Sequence, residues 1–128
     1  MTNNWCPLLY KSILTENDGS YRTCCHGREI AVTEQNQPMT RLTHSVSDVF
    51  NSKWLNEIRT DIEQGRRHKN CDYCWQLEDA GVESFRQTSL NLLGSQDQQQ
   101  RLEILDLSLG NQCNLKCRTC TPEDSSLW

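Results

Sequence analysis

The residues able to do chemistry in this 128-residue chain are its eight cysteines, and they are grouped. Cys113, Cys117 and Cys120 stand in a C-x3-C-x2-C spacing, Cys71 and Cys74 form a C-x2-C pair, and Cys6, Cys24 and Cys25 lie before them. Thiolates are soft ligands suited to zinc and to iron–sulfur clusters. Three of them on one short loop can hold three irons of a cubane, leaving the fourth iron without a protein ligand. Open coordination of this kind separates a reactive site from a closed structural one. A zinc knuckle would need a fourth ligand, for which Cys25 or His26 are candidates; free thiols on a surface loop are the remaining reading. An even cysteine count could also mean disulfides, but C-x2-C pairing without an export signal favours bound metal.

Cys6, Cys24, Cys71 and Cys74 make a second, closed constellation. The elements that must assemble it are a hairpin and a helix start. Residues 5–25 read as a hairpin: a strand over Pro7–Thr15, a turn at Glu16–Ser20 carrying Asp18–Gly19, and a returning strand from Ser20 to Cys24. Cys6 and Cys24 then sit at one open end of the hairpin. Cys71 and Cys74 open a short helix ended by Gly81, where backbone N–H groups favour negative sulfur. On ligand chemistry alone, four thiolates in a closed site favour zinc over a cluster.

The rest of the chain reads as follows. Residues 26–45 form a polar loop with a short strand at Glu29–Thr33; His26 and His44 read as solvated, with a ligand role the alternative for either. Helical signals begin at Ser47. Ser52 caps a clearer helix over residues 53–64, with Trp54, Leu55, Ile58 and Ile62 as its apolar stripe and Gly65 as its stop. Arg66 to Lys69 is a short basic run at the helix end. A further helix is expected from Ser84 to Leu93, followed by a polar linker. Leu102, Ile104, Leu105, Leu107 and Leu109 then suggest a strand buried on both faces, with the three-cysteine loop beyond its C-terminal end. Asn111 and Asn114 are placed to pin that loop, and ordinary turn chemistry explains them equally well. Pro122, Glu123 and Asp124 read as the first turn of another helix.

The strand followed by Cys113-x3-Cys117-x2-Cys120 resembles the cluster motif of radical S-adenosylmethionine enzymes. The resemblance implies a [4Fe–4S] cluster on these three cysteines, its open iron chelated by S-adenosylmethionine. It also implies reductive cleavage of that cofactor to a 5′-deoxyadenosyl radical. Cys6-x12-Gly19-x4-Cys24 with Cys71-x2-Cys74 resembles the SPASM/twitch domains that accompany such enzymes and bind auxiliary [4Fe–4S] clusters. That likeness turns the four-cysteine site from zinc toward a cluster, and its x4 count selects Cys24 over Cys25. The C-x5-C-x3-C continuation of a full SPASM domain is absent, so one auxiliary cluster is implied. Many family members carry an aromatic residue just before the third cysteine; here it is Thr119. The twitch-like part also precedes the radical motif, an order similar to that of some phage and bacterial proteins.

The expected fold is therefore α+β: a twitch-like hairpin-plus-helices domain over residues 1–94, a linker at 95–101, and the first strand and cluster loop of an incomplete α/β barrel over 102–128. A barrel of this kind needs about 250 residues, so the chain alone is expected to lack turnover. The resemblance implies a peptide or protein substrate, an electron donor, and a second chain as one way to complete the barrel. The competing class is a non-catalytic zinc or iron–sulfur module. A net charge of −4 gives no reason to expect nucleic acid, and no apolar run is long enough for a membrane span. With no signal-peptide pattern at Met1, a cytoplasmic location is expected.

Overall fold

Turn chemistry starts the fold. Asp18 accepts hydrogen bonds from the backbone N–H and hydroxyl of Ser20 at 2.9 and 2.7 Å. Gly19 takes φ +90°, a conformation that L side chains rarely adopt. The turn folds strand β1 (Ser12–Thr15) antiparallel onto β2 (Tyr21–Arg22), with Leu14 opposite Arg22 and Thr15 opposite Tyr21. The computed structural model describes residues 4–94 and 99–128 of the chain.

The strand expected from Pro7 to Thr15 is shorter than its apolar run. Leu8–Lys11 is a single helical turn, α1, and only Ser12–Thr15 is extended. Pro7 already has helical dihedrals, φ −62° and ψ −28°, and Leu8 and Leu9 bury equally well from either backbone. The expected strand at Glu29–Thr33 is likewise not formed. Only isolated bridges occur there, Val32 to Pro38 and Ser20 to Thr40.

Four α-helices follow among the described residues. Helix α2 (Val46–Phe50) has a reciprocal capping box between Ser45 and Asp48. Helix α3 (Lys53–Glu63) is capped by Ser52, whose side chain accepts from Leu55 N–H. Leu55, Ile58 and Ile62 face the core with Leu9, Ile13, Val49 and Trp75, while Trp54 packs at its margin. Full burial of each such side chain stabilises by roughly 1.5–3 kcal/mol. Arg59 lies on the same buried face. Its Nε donates to Leu9 O at 2.7 Å and its Nη1 to Phe50 O at 2.9 Å, joining α3 to α1 and α2. Burial lowers its pKa to about 10, which leaves it charged at neutral pH. Helices α4 (Asp72–Asp79) and α5 (Phe85–Leu93) complete the set.

Strand β3 (Ile104–Leu107) joins the hairpin rather than standing apart from it. It pairs in parallel with β1, Ser12 opposite Ile104 and Thr15 opposite Leu107, giving the sheet order β2-β1-β3. Contact begins before the strand, with Arg101 N–H to Tyr10 O at 3.0 Å and Glu103 N–H to Lys11 O at 2.9 Å. Residues 1–3 of the expected first domain and 95–98 of the expected linker lie outside the described residues. The expectation of a strand buried on both faces fails. Leu105 and Leu107 are 45% and 49% exposed, because among the described residues β3 is an edge strand paired with β1 alone. The result is an α+β domain with a three-stranded mixed sheet. Among the described residues no helix is long and apolar enough to cross a membrane.

Candidate metal centre

Three segments meet below the hairpin: the residues before α1, the turn after β2, and the start of α4. They bring Cys6, Cys24, Cys71 and Cys74 to the wall of one small cavity, together with Leu8, Leu9, Thr23, His26, Asn70, Cys71's neighbour in sequence, and Phe85 and Arg86 of α5. Cys6 and Cys74 are buried, and Cys24 and Cys71 half-buried. Cys25 is exposed and faces Asp106 of β3 instead. All eight cysteines are free thiols. Wider depressions along α2 and α3 are open to solvent and carry no thiol.

Local chemistry explains why these segments converge. Gly27 N–H bonds Cys24 O at 3.0 Å and closes a turn immediately after the hairpin. A Cβ at Gly27 would lie 2.9 Å from Thr23 Oγ1 and 3.4 Å from Asn70 Oδ1, so glycine permits the turn to approach Asn70. Asn70 is fully buried. It donates to Thr23 Oγ1 at 3.0 Å, accepts from Glu29 N–H at 3.0 Å, and its peptide oxygen accepts from Arg28 N–H at 2.9 Å. The cysteine pair at 71–74 is thereby locked to the Cys24 turn. On the opposite wall, Arg86 donates to both carboxylate oxygens of Glu78 at 2.9 and 2.7 Å and to Trp5 O at 2.9 Å. That fastens α5 and α4 to the residue preceding Cys6.

The four sulfurs sense one another. Burial, then the nearby Cys24 and Cys71 sulfurs, push the Cys6 thiol far up. Burial, Cys24 and Cys74 push the Cys71 thiol up to about 12. Burial also raises Cys24, opposed by the His26 backbone N–H and the Thr23 hydroxyl, which lies 3.8 Å from the sulfur. Without a cation Cys6, Cys24 and Cys71 keep their protons at neutral pH, and a bound metal would displace them. The donors aimed at sulfur favour thiolate once the protons leave.

Among the described residues no group of three or more His, Cys, Asp or Glu side chains is placed to hold a metal ion. One tetrahedral zinc needs its thiolates about 3.8 Å apart, from a Zn–S length near 2.3 Å. Four thiols line this cavity, a donor type that both zinc and iron–sulfur clusters accept.

The C-terminal cysteines occupy an irregular segment beyond β3. Cys117 is exposed, and Cys113 and Cys120 are half-buried. The three are neighbours: slight shielding from water, the Cys117 sulfur, Asp124 and the Cys113 sulfur all raise the Cys120 thiol. Residues 121–128 hold the loop closed. Ser126 N–H bonds Asn111 O at 2.6 Å, Cys113 N–H bonds Ser126 Oγ at 3.2 Å, and Trp128 Nε1 bonds Cys117 O at 3.1 Å. Fully buried Ser125 donates to Leu115 O at 2.7 Å. Asn111 does pin the loop, through Pro122 O at 3.1 Å. The expected single turn at Pro122 is present, Ser125 N–H closing it onto Thr121 O at 3.0 Å.

Comparison with family models, curated proteins and solved structures finds no match.

Sequence reading missed Thr23, Gly27, His26, Asn70 and Arg86 as parts of the cavity wall. Gly27, three residues past Cys24, carried a turn signal, and His26 reads as a candidate fourth ligand for the C-terminal cysteines. The others are polar residues whose burial depends on contacts distant in sequence.

Proposed function

We propose that the chain is an iron–sulfur protein of the radical S-adenosylmethionine type, with an auxiliary [4Fe–4S] cluster on Cys6, Cys24, Cys71 and Cys74. The observation that carries this reading is that four thiols from three separate segments line one enclosed cavity, while Cys113, Cys117 and Cys120 gather on a loop closed by its own hydrogen bonds. A cluster bound at the C-terminal cysteines would supply the electron that cleaves the sulfonium of S-adenosylmethionine. The chain's own residues have distinct tasks. Thr23, Asn70 and the Leu8 and His26 backbone N–H groups steady the buried sulfurs as thiolates. The apolar walls from Leu8, Leu9 and Phe85 exclude water. Ser125, Ser126 and Asn111 hold the second loop with Cys117 toward solvent, where a cofactor can reach it.

A peptide or protein is the substrate class the resemblance suggests. The test is spectroscopic. After anaerobic reconstitution and reduction, S-adenosylmethionine should alter the electron paramagnetic resonance signal of the C-terminal cluster. It should leave unchanged the signal that remains when Cys113, Cys117 and Cys120 are all replaced by Ala. A reconstituted chain whose signal ignores S-adenosylmethionine would refute the open-iron assignment.

A further inference from the structure

His26 reads from sequence as a solvated loop residue, but the structure inserts it into the cysteine cavity. Its ring packs edge-on against Tyr73, 4.8 Å between centroids, and against Phe85 at 5.1 Å. Tyr73 lies between the two cysteines of the C-x2-C pair. The ring therefore bridges α4 and α5 at the cavity wall, beside Cys6, Cys24, Cys71 and Cys74. Its Nδ1 is buried without a hydrogen-bond partner. Other polar side chains of this wall are engaged: Thr23 with Asn70, and Arg86 with Glu78 and Trp5 O. Leaving a buried ring nitrogen unpaired costs roughly 1–3 kcal/mol, so such an atom calls for a partner.

We infer that His26 Nδ1–H donates a hydrogen bond to a sulfur of the cluster in this cavity and thereby raises its reduction potential. This rests on the cluster reading proposed above. In one neutral tautomer Nδ1 carries the proton and can donate. Hydrogen bonds to sulfur are among the determinants of cluster potential, and donation favours the more negative, reduced state. Four cysteines already supply one thiolate per iron, so the imidazole acts as a positioning and tuning residue and not as a fifth ligand.

The experiment uses the full chain with Cys113, Cys117 and Cys120 changed to Ala, reconstituted anaerobically so that only the N-terminal cluster is read. His26→Phe keeps the ring contacts and removes the donor; His26→Gln keeps a donor. The expected result is a lower midpoint potential in H26F at unchanged iron and sulfide content, with H26Q returning toward the parent. In the chain with His26 intact and 15N-labelled histidine, the reduced cluster should show a weak nitrogen coupling. An unshifted midpoint in H26F, or no nitrogen coupling, overturns the inference. Loss of iron in H26F, or the strong coupling of a bound nitrogen, shows a ligand and also overturns it. Absence of iron from the parent chain would defeat the cluster reading itself.

Discussion

Replacing Glu78 by Gln breaks the clamp behind the cysteine cavity. The side chains of Arg86 and Glu78 are 7% and 12% exposed. Two guanidinium N–H groups bond the two carboxylate oxygens, and Ser84 Oγ adds a third bond to Oε1 at 2.5 Å. Arg86 also lies over the Trp75 ring, 5.1 Å from its centroid. Removing one member of a buried ion pair costs about 3–5 kcal/mol. Glutamine keeps the shape and one carbonyl acceptor, and Arg86 keeps its bond to Trp5 O. The expected loss therefore falls at or just below the bottom of that range, about 2–3 kcal/mol. Urea unfolding under reducing conditions, followed by tryptophan fluorescence, measures it.

The same substitution has a pH signature. Burial raises the Glu78 pKa, but the Arg86 and Ser84 hydrogen bonds outweigh it and hold the carboxyl below its ordinary value. The unfolded chain then binds more protons than the folded one in the acid range. The stabilisation is complete above the ordinary glutamate pKa of about 4.3 and is lost as pH falls through the lower folded value. Glu78→Gln should flatten that part of the acid limb. A loss below about 0.5 kcal/mol at neutral pH, the size of an ordinary surface change, with the acid limb unaltered, would refute the clamp.

Two other substitutions probe the opposite wall. Asn70→Ala removes two side-chain hydrogen bonds from a fully buried position and leaves the Glu29 N–H without its acceptor; it should lower stability by about 2–3 kcal/mol in the same unfolding assay. Cys24→Ser should remove or destabilise the N-terminal metal centre, whereas Cys25→Ser should leave its iron content unchanged, because Cys25 lies outside the cavity wall. Equal iron loss in both, measured with the C-terminal cysteines replaced, would contradict that division.

Features set by neighbouring residues were legible in the sequence. The Asp18–Gly19 turn and the Ser52 cap state their own chemistry, and the Leu55, Ile58 and Ile62 spacing marks a buried helical face. Cys71 and Cys74 do fall at the start of a helix. What depends on distant partners was not legible. Leu8 to Lys11 is as compatible with a helical turn as with a strand, and packing against α3 accompanies the turn. The apolar run from Leu102 looked buried because alternation cannot distinguish a central strand from an edge strand; pairing with β1 alone leaves Leu105 and Leu107 exposed. Burial of Asn70, Arg86 and His26 arises where segments far apart in sequence meet, and no local pattern announces it.

The most direct measurement is the iron and sulfide content of the chain after anaerobic reconstitution, with and without its C-terminal cysteines. Two cubane sites require about eight irons and eight sulfides per chain, and loss of about four of each when Cys113, Cys117 and Cys120 become Ala. Further replacement of Cys6, Cys24, Cys71 and Cys74 by Ser should remove the remainder. Tightly held zinc without sulfide, or iron that stays when all seven cysteines are gone, would contradict the account.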